Sequence, residues 1–250
     1  MLKAIIYKSI REQGSVEDGF PTPDSLIEAY KIQKENFRDI KGWKLGGTTS
    51  FTRKLFNTDK VYYGGVGGSY IYKASDVVKV PSFIKEPSGE AEVAFRLTDK
   101  VKELSTLNIK AIDMAELIHA VIPSIEFPWS AFPLPACGLK VLIADSCAAG
   151  FVVFGEEINW TKELEEVLNG KVTIFTSNRL LASGSVDNII GGPVDALRSF
   201  LFLAKEHKIK FAGGEIVATG GCTSCIPIPV GEKISVKFEN LNSFEFKLEF

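Results

Sequence analysis

The stretch "EPSGEAEVAF", residues 86–95, decides the fold of this chain. Its second half alternates with a period of two, so that Glu90 and Glu92 fall on one face and Val93 and Phe95 on the other. This alternation predicts a strand that is buried on one side. The two glutamates are nevertheless like charges, roughly 7 Å apart on the same face of such a strand. Either they lie on a solvated edge face, or a cation holds them inside the protein.

The composition is that of a globular protein. At 250 residues the chain is long enough for one large domain or two small ones, and its residues are 45 % apolar and 24 % charged. The net charge of −2 and the lack of a Lys/Arg cluster argue against a nucleic-acid-binding protein. The sequence has no apolar run long enough for a membrane span and no basic-then-apolar start typical of a signal peptide. We therefore expect a cytoplasmic protein.

Four cysteines and two histidines could serve as soft metal ligands. Cys222 and Cys225 form a CxxC pair, but a structural zinc site normally needs a second pair of cysteines or a pair of histidines. The histidines, His119 and His207, lie in two separate segments that read as helices. We expect reduced, mostly buried cysteines rather than a zinc site or a redox motif.

Apolar periodicity predicts few helices and many strands. The predicted helices are Pro23–Phe37 with Thr22 as N-cap, Ile109–Ala120, and Pro193–His207. The predicted strands are Val77–Val80, Glu90–Leu97, Val121–Glu126, Gly150–Gly155, Val172–Thr176, Glu215–Thr219, Ile234–Phe238 and Phe244–Phe250. Residues 239–242 should join the last two strands as a hairpin, and "GGVGGS" at 64–69 reads as a loop. This pattern predicts a β-rich α+β fold with a rolled, barrel-like sheet and flanking helices.

A third acid sits in a similar setting. Glu126 ends the apolar segment "AVIPSIEF", where Ile125 and Phe127 indicate buried surroundings. Two carboxylates brought to roughly 5 Å repel by about 3 kcal/mol at an effective dielectric constant of 20, so an enclosed pair needs a cation. Three carboxylates that leave positions open for water and substrate suit magnesium or manganese. The chain also lacks GxSxG and GxxxxGK[ST] motifs, which leaves acid–base chemistry to carboxylates and lysines.

Six segments in register resemble the fumarylacetoacetate hydrolase superfamily, and most of all its 2-keto-4-pentenoate hydratase and 4-oxalocrotonate decarboxylase branch. They are "GWKLGGTTS" (42–50), "EPSGEAEVAF" (86–95), "VIPSIEF" (121–127), "LIADSCAAGFVVFG" (142–155), "ASGSVDNIIGGPVDAL" (182–197) and "FAGGEIVATGG" (211–221). The resemblance implies a single domain overall, in which residues 1–40 form a helical segment packed on a catalytic core of residues 41–250. It also implies the rolled sheet expected above.

The resemblance implies a role for six residues. Glu90, Glu92 and Glu126 match the metal ligands, with Mg²⁺ or Mn²⁺ as cofactor. Lys44 matches a lysine near the substrate, which we expect to act in catalysis with a pKa lowered if its surroundings are dry. Thr219 and Gly220 match the part that holds the substrate's carboxylate. From the residues alone, Lys44 could equally be a surface lysine, and Thr219 could cap its own turn.

Two positions depart from the pattern of the hydratases. Tyr62 stands where they typically carry an aspartate, and Ala182 stands where they carry a serine. Both alignments could slip by one residue, and Asp59 or Ser183 could serve instead. These departures weaken the prediction of hydratase chemistry more than the prediction of a metal site.

The resemblance implies a metal-dependent hydratase of 2-hydroxy-2,4-dienoic or 2-keto-4-pentenoic acids, acting through an enolate. A vinylogous decarboxylase, a keto-acid tautomerase, an acylpyruvate-type hydrolase and a non-catalytic partner subunit remain alternatives. The hydrolase would need a His-Glu pair before the metal motif, but no histidine precedes His119. The expected partners are a small 2-keto or 2-hydroxydienoic acid and further copies of the chain in a dimer or larger oligomer. A related subunit could join that oligomer, and neither nucleic acid nor membrane is expected.

Overall fold

The computed structural model describes residues 2–16, 19–37 and 39–250. Six helices are found in these ranges: α1 (Leu2–Gln13), α2 (Leu26–Asn36), α3 (Ser50–Leu55), α4 (Gly138–Ala144), α5 (Lys162–Glu166) and α6 (Gly192–Glu206). The strands found there are β1 (Ile40–Gly46), β2 (Tyr62–Gly67), β3 (Ile71–Lys73), β4 (Val78–Lys79), β5 (Ser88–Leu97), β6 (Ile118–Phe127), β7 (Phe151–Phe154), β8 (Ile158–Asn159), β9 (Lys171–Thr176), β10 (Leu180–Ser185), β11 (Ile216–Gly221), β12 (Ile226–Pro227), β13 (Lys233–Phe238) and β14 (Phe244–Glu249).

The strands of the described residues form two sheets. The larger, nine-stranded sheet has the order β2-β1-β11-β5-β6-β7-β3, with β12 beside β5 and β8 beside β6. The smaller, five-stranded sheet has the order β10-β9-β13-β14-β4. Both sheets mix parallel and antiparallel pairs, since β1 runs parallel to β11 and β14 parallel to β4. The larger sheet is curled, and the expected β-rich α+β fold with a rolled sheet and flanking helices is confirmed.

The predicted strand at "EPSGEAEVAF" is confirmed as β5, which pairs with β6 over most of its ten residues. Val93 and Phe95 pack in the hydrophobic core as expected from their alternation. The opposite face is also buried, however, because Glu92 and Ala94 are both 0 % exposed. The prediction of a strand buried on one side is therefore wrong. A central strand of a sheet covered on both faces is the correct description.

Most other sequence predictions for secondary structure are confirmed. Helix α6 keeps Pro193 in its first turn and buries the predicted apolar stripe, from Leu197 to Ala204. Strands β13 and β14 form the expected antiparallel hairpin. All four cysteines are free thiols as expected, but only Cys147 and Cys222 are buried, whereas Cys137 is half-buried and Cys225 is exposed.

Four local predictions are wrong. The segment Ile109–Ala120 is not a helix, because Asp113 caps only a single 3₁₀ turn, Met114–Glu116, before the chain extends into β6. His119 therefore lies in a strand. Helix α2 begins at Leu26 with Ser25 as its N-cap, rather than after Thr22. The first part of "GGVGGS" is not a loop but the end of β2, where the glycines allow close contact with neighbouring backbone.

The N-terminal helices pack on the core through a second apolar cluster, shared by α1, α2 and α4. Tyr7 of α1 stacks on Phe132, with ring centroids 4.6 Å apart. The buried amide of Gln33 donates hydrogen bonds to the carbonyls of Tyr63 and Ile143, at 3.1 and 2.8 Å. These contacts fix α2 against β2 and α4.

None of the helices in the described part of the chain combines the length and apolar character needed to cross a bilayer.

Candidate metal centre

The antiparallel register of β5 and β6 brings the three predicted metal ligands together. Glu90 stands directly opposite Glu126, and Glu92 stands opposite Ser124, two residues further along the same face. Each glutamate offers a carboxylate oxygen, and these oxygens all lie within 4.8 Å of one another. The three carboxylates are thus close enough to share one coordination shell.

Two buried carboxylate oxygens of this cluster have no hydrogen-bond partner among the described residues. Glu92 and Glu126 are 0 % exposed, yet their Oε1 atoms accept no hydrogen bond from the described residues. The other oxygen of Glu92 accepts a hydrogen bond from the Gly220 amide at 2.9 Å. Buried carboxylate oxygens without donors are costly, and a cation between them removes that cost. The donor set, three hard oxygens, fits Mg²⁺ or Mn²⁺.

Two glycines of β11 allow other groups of the site to pack closely against the backbone. A Cβ at Gly221 would overlap the Glu90 carboxylate, and a Cβ at Gly220 would overlap the Thr48 hydroxyl. Gly220 also has φ of 117°, in the region that favours glycine. The "GG" at the end of β11 is therefore required by the close packing of backbone against the site.

Burial raises the pKa of all three acids, and acidic neighbours add to this for Glu90 and Glu92. Burial, and then the Glu126 carboxylate, raise the pKa of Glu90 to about 7. Burial raises the pKa of Glu92 well above its ordinary value, and Glu90 and Glu126 add to this. Burial also raises the pKa of Glu126, although Lys44 opposes the change. A bound cation would compete with these protons.

Lys44 lies at the same cluster. It is a buried residue of β1, and its Nζ donates to Glu126 Oε2 at 3.1 Å. Burial acts to lower the pKa of Lys44, but the carboxylates of the cluster outweigh burial and raise it above its ordinary value. The expectation of a lowered pKa is wrong for this structure. The raised pKa favours the ammonium form of Lys44, which suits a proton donor and a positive charge better than a base.

A cavity of about 710 Å³ opens beside the cluster. Its lining includes Lys44, Glu90, Tyr62, Gly220 and Gly221. Polar groups that also line it are Thr48, Thr49, Ser50, Thr52, Asp187, Asn188, Thr223, Ser224 and Cys225. The apolar remainder includes Phe51, Leu55, Phe56, Leu134, Leu142 and Ile190. The cavity is large enough for a small organic acid beside a metal ion.

The structure does not bring Thr219 into this cavity. The Thr219 side chain is buried, and its hydroxyl donates to the Val93 carbonyl at 2.7 Å. The two residues of the "TG" pair in β11 therefore differ: Gly220 lines the cavity and Thr219 does not. Thr223, four residues on, is the threonine of this segment that does line it.

Of the two positions that depart from the hydratase pattern, one lines the cavity and the other does not. Tyr62 lines the cavity, and burial raises the pKa of its phenol, which therefore keeps its proton. Ala182 is buried in β10, outside the cavity lining. Asp59 and Ser183, the residues that could have replaced the missing groups, are exposed and lie outside the lining as well.

Sequence reasoning missed two polar residues of the cavity wall, Asp187 and Asn188. They belong to a short 3₁₀ turn, in which the Ser185 hydroxyl donates to the Asp187 carboxylate at 2.7 Å. The Asn188 side chain donates to the Cys222 carbonyl at 2.8 Å. The signal available in the sequence was the pair of polar residues in "GSVDNII", at the end of a strand.

Known proteins share this architecture. A search of protein-family models finds no match. The chain is 22 % identical over 232 residues to 4-oxalocrotonate decarboxylase from Pseudomonas sp. (strain CF600), which covers 88 % of this chain and 85 % of that protein. The solved 4-oxalocrotonate decarboxylase from Pseudomonas putida G7, complexed with magnesium and adipate, superposes with a TM-score of 0.78. That superposition covers 99 % of this chain and 97 % of the other, at 20 % identity.

The chain has the fumarylacetoacetate hydrolase fold. A more distant example of this fold is fumarylpyruvate hydrolase from Pseudomonas aeruginosa, in complex with Mn²⁺ and pyruvate. It superposes with a TM-score of 0.58 at 11 % identity, over 85 % of this chain and 90 % of that one. The resemblance seen in the sequence motifs is thereby confirmed at the level of the fold.

Proposed function

We propose that this protein is a divalent-metal-dependent hydratase of 2-hydroxy-2,4-dienoic acids, in their enol or 2-keto forms. The observation that carries the proposal is the buried cluster of Glu90, Glu92 and Glu126, with carboxylate oxygens that no protein group satisfies. These three residues would hold Mg²⁺ or Mn²⁺. The magnesium and manganese complexes of proteins with the same fold support this assignment.

The bound cation would supply Lewis-acid stabilisation of the negative charge that develops on the 2-oxygen of the substrate. The chain's own residues orient the substrate around it. Gly220 and Gly221 keep backbone close to the carboxylates, which leaves the cavity side of the cluster free for the carboxylate and 2-oxygen of the acid. Burial of Glu92 and Glu126 excludes water from the side of the cluster that faces the core.

Lys44 provides the proton donor of the proposed site. Its Nζ is charged and held by Glu126, so it can stabilise negative charge on the substrate or deliver a proton to it. Tyr62 adds a protonated phenol in the same cavity. We assign Lys44 as a catalytic residue, and Gly220 as a residue of the substrate-binding wall. We assign Thr219 a supporting role behind that wall, through its hydrogen bond to Val93.

A decarboxylase is the second candidate, because curated relatives with 22 % and 21 % identity are 4-oxalocrotonate decarboxylases. The hydratase remains our first choice since the lysine of the cluster is the single cation among the described residues of the cavity lining. A substrate with a second carboxylate would find no cationic partner there.

The test follows 2-hydroxypenta-2,4-dienoate with purified protein and Mg²⁺ or Mn²⁺. Loss of the dienol absorbance and formation of the 4-hydroxy-2-oxo acid are measured separately, with and without EDTA. The proposal expects both signals, each abolished by EDTA and by Glu90→Gln, while Glu232→Gln, an exposed change, leaves them intact.

Two outcomes would contradict the hydratase. Ketonisation of the dienol without hydration would favour a tautomerase or a decarboxylase on the same site. Neither signal with any cation would favour a non-catalytic partner subunit.

A further inference from the structure

The cavity beside the metal centre has a charged floor and an apolar rim. The floor is formed by Lys44 and Glu90, while Glu92 and Glu126 of the same cluster are fully buried and lie outside the lining. Phe51, Leu55 and Ile190 are all lining residues that remain exposed, at 71 %, 41 % and 43 %, so they lie towards solvent. A ligand whose acid end lies at the floor therefore carries its tail past apolar side chains.

The charges of the lining are strongly unbalanced. Lys44 is the single cation among the described residues that line the cavity, and it is already paired with Glu126 at 3.1 Å. Asp187 adds a further carboxylate to the wall, away from β5 and β6. The carboxylates of the three glutamates and of Asp187 together carry more negative charge, when ionised, than Lys44 and one divalent cation can balance. The site therefore keeps a net negative charge even with the cation bound. It can accept one more carboxylate at the cation, but it has no cation for another.

From this arrangement we infer that the site selects 2-oxo acids that carry one carboxylate and an uncharged, apolar tail, and that it discriminates against dicarboxylates of the same length. The inference rests on the proposed function, since it assumes that the 2-oxo acid end lies at the metal centre. The physical reason is that a terminal carboxylate would lie against the apolar side chains of Leu55 and Ile190 in a lining that has no free cation and that includes the Asp187 carboxylate. Like charges without a compensating cation weaken binding.

This selectivity is not a necessary feature of the fold. A solved relative with the same architecture is complexed with adipate, which is a dicarboxylate. The discrimination would therefore come from the residues of this chain's own cavity wall.

The test compares two six-carbon acids that differ only at the end of the tail. Calorimetric titration of the Mn²⁺-loaded protein measures the affinity for 2-oxohexanoate, which ends in a methyl group, and for 2-oxoadipate, which ends in a carboxylate. We expect 2-oxohexanoate to bind tighter by about tenfold or more, the scale on which unfavourable charge contacts separate ligands. Equal affinities, or tighter binding of 2-oxoadipate, would overturn the inference.

Oxalate separates this inference from the proposed function. It has no tail, so it probes the metal centre alone. If oxalate fails to bind the Mn²⁺-loaded protein, the proposed metal centre is wrong. If oxalate binds but neither six-carbon acid does, the inference about the tail is wrong and the metal centre stands.

A gain-of-function variant gives an independent check. Leu55→Lys places a cation on the rim, at a position exposed enough to accept it, and should raise the affinity for 2-oxoadipate by about tenfold relative to 2-oxohexanoate. The control is Val167→Lys, which adds the same charge at an exposed residue outside the cavity lining. It should leave the ratio of the two affinities unchanged. An unchanged ratio in Leu55→Lys would contradict our assignment of the rim to the substrate's tail.

Discussion

Glu90 and Glu126 face each other directly across two neighbouring antiparallel strands at the centre of the main sheet. Like charges in directly opposed positions destabilise a sheet, and here Glu126 is fully buried while Glu90 is half-buried at the cavity. The two glutamates therefore destabilise the folded protein when no cation is bound, and their position suits the binding of a divalent cation. The relationship leads to predictions about the protein without metal as well as with it.

Glu92→Gln should stabilise the metal-free protein at pH 7.5. The change removes a buried carboxylate whose pKa is raised by burial and by its acidic neighbours, while an amide oxygen can still accept the hydrogen bond from Gly220. We expect the melting temperature to rise, at about 2–4 °C for each kcal/mol in a chain of this size. Differential scanning calorimetry in EDTA measures it, with Glu232→Gln as the exposed control.

The same variant should lose the stabilisation that metal confers. In the unmodified chain, Mn²⁺ should raise the melting temperature, and the rise should grow with the logarithm of the ratio of free Mn²⁺ to its dissociation constant. In Glu92→Gln that increase should largely disappear. An unchanged Mn²⁺ effect would mean that the cation binds without Glu92.

The contribution of Glu90 to the free energy of unfolding of the metal-free protein should fall as pH rises from about 4.5 to about 7. Glu90 has an ordinary pKa of 4.5 in the unfolded chain and a raised pKa of about 7 in the folded one. Between these values the unfolded chain binds fewer protons than the folded chain, so stability decreases with rising pH. Urea titrations across this range, in EDTA, measure the free energy of unfolding. Glu90→Gln should flatten the slope, and an identical slope in both proteins would contradict the assignment.

Much of this site follows from the sequence because its key signals are local. The two-residue alternation around Glu90 and Glu92 predicts that both carboxylates share one face, and the apolar neighbours of Glu126 predict its burial. The helix predicted at Ile109–Ala120 was wrong: its last three residues begin β6, which pairs with β5, and the residues before them form turns and a single 3₁₀ turn. Contacts over long sequence distances have no local signal. The hydrogen bond of Lys44 to Glu126, 82 residues apart, and the position of Asp187 on the cavity wall are of this kind.

Lys44→Met should separate catalysis from metal binding. Loss of the ammonium removes the proton donor of the proposed site, and we expect turnover to fall by on the order of 10²–10⁴, the usual contribution of positioned acid–base groups. Mn²⁺ affinity should not weaken, because the ammonium competes with the cation for Glu126. Steady-state kinetics and Mn²⁺ titration measure the two effects. Lys41→Met, an exposed change on the same strand, is the matched control, and unchanged turnover in Lys44→Met would remove Lys44 from the mechanism.

Arg11 connects the N-terminal helix to the wall of the cavity. Its Nη1 donates to Asp145 Oδ1 at 2.9 Å, its Nη2 donates to the Ala149 carbonyl, and its guanidinium lies 5.2 Å from the ring centroids of Phe37 and Trp129. Between the two residues that accept these hydrogen bonds, Asp145 and Ala149, residues 146–148 all have positive φ, from 52° to 57°. Cys147 and Ala148 of this left-handed turn line the cavity.

Arg11→Met should therefore be destabilising, by about 1–3 kcal/mol, the cost of removing one hydrogen-bonding partner of a buried polar group, since Asp145 keeps the hydrogen bond from Ser130. The double variant Arg11→Met/Asp145→Asn should recover part of this loss, since it removes the unpaired charge as well. Chemical denaturation of the single and double variants measures the free energies of unfolding. Lys8→Met, an exposed change on the same helix, should alter stability by less than about 1 kcal/mol, as expected for surface ion pairs. If Arg11→Met costs no more than Lys8→Met, the left-handed turn is held in place without the arginine.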